Sequence, residues 1–281
     1  MTEFRFPLKD VKIRNVKIIK KVTDPVYSES YWQMNQREFA MHVEGVGDFY
    51  ACDGCEIEFT PANGADPNSI ELYLNGSVYG AILHQRKILA FHGSSFLYDS
   101  AAVMICGDAG AGKSSLTASF CLSGSEFLTD DITPVIIREG RPYLLALSDR
   151  IKLWSDTLEQ FGRFDKGLPR VHPEVDKYYL SMSDKDGGMQ PLGIIVILSN
   201  SADTEVHSEE LSGTAKFAAV QGEIYRSEYL PAMPDNLPVY FRNTLDICRQ
   251  ARVFRVFRPA RIRVPDLHRK IEDLLVTVES E

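Results

Sequence analysis

Residues 101–116 read Ala101-Ala-Val-Met-Ile-Cys-Gly107-Asp-Ala-Gly-Ala-Gly-Lys-Ser-Ser-Leu116. Gly107 to Ser114 is a complete G-x-x-x-x-G-K-[ST] sequence, and its flanks supply the context this motif needs. Ala101 to Cys106 is a short apolar run of buried-strand type, and Ser114 to Leu122 continues as a helix. Strand, glycine loop and helix arrive in the order of a phosphate-binding loop, which predicts an α/β fold around a largely buried sheet.

The chemistry expected of such a loop follows from its residue types. Glycines at 107, 110 and 112 permit positive φ and close approach of backbone to ligand, so successive N–H groups converge on phosphate oxygens at a helix N-terminus. Lys113 is the point charge over β- and γ-phosphates, and the Ser114 hydroxyl is placed to ligate Mg²⁺. The predicted nucleotide-binding residues are therefore Gly107, Asp108, Ala109, Gly110, Ala111, Gly112, Lys113, Ser114 and Ser115, with Mg²⁺ beside the phosphates.

Outward from the loop, Glu126-Phe-Leu-Thr-Asp-Asp131 reads as a strand ending in two carboxylates, 17 and 18 residues beyond Lys113. A parallel-type strand beside the loop strand would deliver them to the phosphates. Neighbouring side chains on a strand face opposite ways, so one carboxylate is expected on the metal side, with Asp130 assigned there, and the other as general base. A solvated acidic turn is the bland alternative. His92 stands 21 residues before Lys113 at the end of the run Lys87 to Phe91. On spacing alone it is either a structural histidine or a catalytic one.

Composition bounds the rest. The chain has 281 residues, 44% hydrophobic, enough for one large domain or two small ones. A net charge of −8 argues against a general nucleic-acid binder. The absence of an apolar run of about 18 residues and of a signal-peptide pattern at the start leads to the expectation of a cytosolic protein with no membrane partner. Five cysteines do not make a disulfide framework. Cys52-Asp-Gly-Cys55 is a lone C-x-x-C, better read as a turn between strands than as a zinc or redox pair.

Two domains are expected. Residues 1–85 form a β-rich N-terminal module, with strand-like runs at Val11–Val22, Glu38–Val43, Phe49–Cys52, Ile70–Leu74 and Ser77–His84. Residues 86–281 form the catalytic part. There, Ile132–Ile137 and Tyr143–Leu147 bracket a hairpin turn at Gly140, and Ser155 caps a short helix to Phe161. Leu192–Leu198 is a fully apolar central strand. Helices cover Ala215–Tyr225, Leu237–Arg249 and Pro265–Val278.

His92-Gly93, then Ala102 to Leu116 with the loop, then Phe127-Leu-Thr-Asp-Asp131 together resemble the catalytic domain of the HPr kinase/phosphorylase family over about residues 86 to 275. That family carries a His-Gly pair, a Gly-Asp-Ser-Gly-x-Gly-Lys-Ser loop and an Asp-Asp pair at similar spacing. The resemblance implies a mixed-sheet fold related to phosphoenolpyruvate carboxykinases and an ATP-dependent kinase acting on a serine of a peptide or small protein. It implies catalytic roles for Asp131, Asp130, His92 and Lys113, with one aspartate taking the hydroxyl proton. Ala109 replaces the loop serine and Ser115 the glutamate of the bifunctional enzymes, and no Glu-Ile-Arg-Gly segment occurs, so a dedicated kinase is expected. The chain looks closer to the HPr-kinase-like enzymes of bacterial peptide modification, including those acting on lasso-peptide precursors. Ile151-Lys152-Leu153-Trp154 resembles a segment common in those relatives, in which Lys152 either reaches the phosphates or snorkels at the surface. Family members often form hexamers, so a homo-oligomer is compatible with the sequence.

Two further readings stay open: a nucleotide-binding switch with slow hydrolysis, and a small-molecule kinase. Arg249, Arg252, Arg255, Arg258, Arg261 and Arg263 form a series in an acidic chain. It is read as a solvated or salt-bridged surface, or alternatively as a docking patch for an acidic peptide or another subunit.

Overall fold

The computed structural model describes residues 4–163, 165, 167–182 and 188–279. The elements run β1 (Lys12–Asn15), β2 (Tyr27–Ser28), β3 (Trp32–Met34), β4 (Glu38–Val43), β5 (Gly47–Cys52), β6 (Glu56–Pro61), α1 (Pro67–Tyr73), α2 (Tyr79–Gln85), β7 (Leu89–His92), β8 (Ser94–Tyr98), β9 (Ala101–Gly107), α3 (Lys113–Leu122), β10 (Glu126–Thr129), β11 (Ile132–Arg138) and β12 (Arg141–Leu145). They continue with β13 (Arg150–Trp154), α4 (Ser155–Gln160), β14 (Arg170–His172), β15 (Val175–Ser181), β16 (Met189–Ser201), β17 (His207–Glu210), α5 (Gly213–Gly222), α6 (Leu237–Gln250), β18 (Arg252–Pro259) and α7 (Val264–Glu279). The fold is mixed α/β with mixed sheets. Among the described residues no helix is long and apolar enough to cross a membrane.

One compact unit holds Met1–Ala90, Arg170–Asp176 and Ile224–Asn243. Its six-stranded sheet has the order β1-β6-β5-β4-β3-β2, with β1 parallel to β6 and the other pairs antiparallel. Asp53 and Gly54 take φ of 53° and 68° in the three-residue connection between the paired Cys52 of β5 and Glu56 of β6, which the Cys55 N–H closes onto the Cys52 carbonyl at 3.1 Å, so Cys52-Asp-Gly-Cys55 is a turn. All five cysteines are free, and no metal-binding cluster occurs among the described residues. The expected strands Ile70–Leu74 and Ser77–His84 are instead α1 and α2, joined by a π-helical turn over Leu74–Val78. The signal lay in the caps and the period. Asp66 accepts the Ser69 N–H ahead of Pro67, and the buried Ile70, Leu74, Val78 and Ile82 recur every four residues rather than alternating. These side chains enter one core with Trp32, Phe39, Phe49 and Ile57. The run Val11–Val22 contributes only β1.

The second unit holds Phe91–Pro169, Lys177–Glu223 and Thr244–Glu281. Its nine-stranded sheet runs β10-β8-β9-β16-β12-β11-β7, with β18 on β16 and β17 on β18. The apolar Leu192–Leu198 lies inside β16, which is parallel to both β9 and β18 and antiparallel to β12. A strand buried on both faces needs that continuous apolar run. The carboxylate-bearing strand departs from expectation. β10 is not beside the loop strand β9, because the antiparallel β8 sits between them. Leu116 and Phe120 of α3 and Leu267, Ile271 and Leu275 of α7 share a core with Phe96, Val103, Ile105, Val196 and Val256 of the sheet. Each such side chain contributes about 1.5–3 kcal/mol on full burial, so the helix that opens at the loop is firmly seated. Helix α4 begins with Ser155 as its first residue rather than its cap; the cap position is Trp154, which makes no side-chain capping bond.

Candidate active site

At the C-terminal edge of β9 the chain turns sharply into the loop. Gly107 has φ of 127°, and a Cβ there would lie 2.3 Å from the Leu198 carbonyl oxygen of the neighbouring strand, so only glycine lets the two backbones approach this closely. Asp108, Ala109 and Gly110 are exposed, Ala111 is buried, and Gly112, at φ of 95°, leads into α3. Lys113 is 8% exposed and curls back over the loop, its Nζ donating to the carbonyls of Gly107 at 2.7 Å and Asp108 at 3.0 Å. Burial pushes its pKa down, and nearby acids counter that shift. A buried ammonium on neutral carbonyls of a glycine loop is a charge poised for an anion.

Asp130 and Asp131 follow β10 and take different partners. Asp130 is buried; one oxygen accepts the Ser114 hydroxyl at 2.7 Å and the other the Lys152 backbone N–H at 2.9 Å. Asp131 is the centre of a three-residue turn closed by Ile132 N–H to the Asp130 carbonyl at 2.9 Å, and it has φ of 73°. Such a turn is strained for a residue with a side chain, and strain of this kind costs about 1–3 kcal/mol, kept only where surroundings over-determine it. The surroundings here are Lys152, whose Nζ donates to one Asp131 oxygen at 2.8 Å, and His92, whose Nε2 lies 3.6 Å from the other. Burial alone would raise the Asp131 pKa, but Lys152 and His92 override it and hold the carboxyl well below its usual range. Lys152 is raised in turn, because the attraction of Asp131 exceeds the cost of its burial.

The structure therefore brings Lys113, Ser114, Asp130, Asp131 and His92 around one loop. Ser115 points elsewhere, its hydroxyl 3.2 Å from that of Thr157. Lys152 does not snorkel: its side chain is 13% exposed and ends on Asp131. Glu223, which no motif marked, follows α5; its carboxylate accepts the Gly107 N–H at 2.9 Å while its carbonyl accepts the His92 N–H at 2.9 Å. Burial raises its pKa. Ser114 and Asp130 offer hard oxygen donors side by side, a donor set that fits Mg²⁺.

No family model matches the chain, nor does any curated protein. Among solved structures it is similar to the Hpr(Ser) kinase/phosphatase from Coxiella burnetii, with 13% identity and a TM-score of 0.35, over 68% of this chain and 95% of that one.

Proposed function

We propose that this chain is an ATP-dependent kinase that transfers the γ-phosphate to a serine hydroxyl of a peptide or small protein. The observation that carries the reading is that adjacent carboxylates beside one glycine loop take different partners. Asp130 faces the Ser114 hydroxyl, and Asp131 faces His92 and Lys152. The registered His-Gly, loop and Asp-Asp motifs support the choice of a serine acceptor, and their likeness to peptide-modifying relatives supports a lasso-type precursor as the finer candidate.

Loop amides and Lys113 hold the phosphates, and Ser114 with Asp130 would hold Mg²⁺. Bound Mg²⁺ supplies charge neutralisation between phosphate oxygens. Asp130 is buried against the Ser114 hydroxyl and the Lys152 N–H, whereas Asp131 is a third exposed, so Asp131 is the carboxylate placed to orient the incoming hydroxyl and take its proton. Lys152 keeps it ionised, and phosphoryl transfer asks more for position and charge than for a strong base.

The test is ADP release from ATP and Mg²⁺ with and without serine-containing peptides, a precursor ending in serine among them, followed by mass spectrometry for phosphoserine. Acceptor-dependent ADP release with a phosphorylated serine is expected. The same slow release in both arms would favour the switch reading, and phosphorylation of small hydroxylated molecules alone would favour the small-molecule kinase.

A further inference from the structure

The arginine series does not behave as one surface. Arg249 pairs with Asp246 at 3.3 Å, Arg252 with Glu210 at 2.7 Å, Arg255 with Glu209 at 3.6 Å and Arg263 with Asp266 at 2.8 Å, and Arg261 is exposed. Arg258 differs in every respect. On β18, Phe254 and Val256 point into the core beneath α3 and α7, and the alternation of a strand places Arg258 on that same inward face. It is 8% exposed. Among the described residues it has no carboxylate partner. Its two hydrogen bonds go to neutral carbonyls, Gly110 of the phosphate loop at 3.0 Å and Pro259 at 3.4 Å. A guanidinium carries five N–H donors, and the Nε–H here is buried with no acceptor among the described residues. The guanidinium carbon stands 3.9 Å from where a Cβ would sit on Gly112.

A buried, permanently charged group without a counter-ion is costly to the folded chain. Register explains how it reaches the loop: β18 pairs with β16 so that Val256 lies opposite Leu198, which itself lies opposite Gly107. Arg258, two residues further on, overhangs the edge where the loop begins.

We infer that Arg258 is a second phosphate-directed cation of this site, completing with Lys113 the charge that receives the polyphosphate chain of a nucleoside di- or triphosphate. The inference rests on the nucleotide-binding reading above and adds a residue to it. Its consequence is a trade of stability against function, since the charge is uncompensated until phosphate arrives.

The experiment compares wild type, Arg258→Met and Arg258→Lys by calorimetric titration with ATP, ADP and inorganic tripolyphosphate, and by thermal denaturation without ligand. Arg258→Met should weaken all three ligands about 10- to 100-fold, the range of lost charged hydrogen bonds. It should also raise the ligand-free Tm by about 2–4 °C, because the unpaired charge is gone. Arg258→Lys should fall between, keeping the charge without the fork. A lower ligand-free Tm or failure of the Met variant to fold would make Arg258 a brace for the loop. A loss confined to ATP and ADP, sparing tripolyphosphate, would place it on the base. Either overturns the inference, as does unchanged affinity in a chain whose wild type binds nucleotide. A wild type that binds none of the three ligands would sink the nucleotide reading itself.

Discussion

Asp130 and Asp131 are one residue apart and differ in what they touch, and this difference makes their roles separable by measurement. Asp131→Asn should leave ATP affinity within a few-fold and lower turnover about 10²- to 10⁴-fold, the usual range for lost general-base help. Asp130→Asn should instead weaken Mg²⁺-dependent ATP binding, because its carboxylate faces the Ser114 hydroxyl. Steady-state kinetics with nucleotide titration tells the two apart, and equal small effects at both positions would make the pair structural. Lys113→Ala should abolish transfer while the chain stays folded, since the ammonium's hydrogen bonds among the described residues go to two loop carbonyls and its burial disfavours the charge. Circular dichroism beside the activity assay checks both halves; an active Lys113→Ala enzyme would refute the phosphate-loop reading. The types of these residues were legible in the sequence. Their partners were not: Lys152 arrives on Asp131 from β13, some twenty positions away, and Glu223 reaches Gly107 from beyond α5.

At the scale of elements, the loop depends on β9 and β16 lying close at their C-terminal ends. Gly107→Ala would set a Cβ against the Leu198 carbonyl at 2.3 Å and at a φ of 127°, so both the strand pair and the loop must move. Gly110→Ala meets open space and faces only the left-handed conformation at φ of 80°, a cost of about 1–2 kcal/mol. The first variant should therefore lose nucleotide binding and about 5 °C or more of Tm, and the second should keep its Tm within a few degrees. Similar Tm losses for both would mean that the close approach is not limiting. The same scale explains the misread helices α1 and α2. Their β-branched and aromatic content suggested strands, but a capped start and a four-residue spacing of buried positions are stronger evidence than composition.

For the whole chain, the described residues divide into two compact units, and the first is assembled from three separate stretches of sequence. Within it, His84 is almost fully buried between the Tyr225 carbonyl at 2.8 Å and the Tyr240 hydroxyl at 2.9 Å. Burial lowers its pKa from the ordinary histidine value, with the Tyr225 carbonyl opposing the shift. The neutral ring therefore stabilises the fold fully above about pH 6.5, and that contribution is lost as pH falls toward the lowered folded value. Between pH 7.5 and 5.5 the denaturation midpoint should fall less in His84→Gln than in wild type; identical pH dependence would remove His84 as the cause. The sequence by itself determined the glycine loop with its flanking strand and helix, the apolar central strand and the presence of an acidic pair, because each depends on residue type at short, fixed spacing. Tertiary structure alone decided that β8 separates β10 from β9, that residues 224–243 join the first unit, that Lys152 meets Asp131, and that Glu223 and Arg258 reach the loop. Those facts depend on strand order and register between distant segments, and local pattern carries no record of which buried neighbour a side chain will meet.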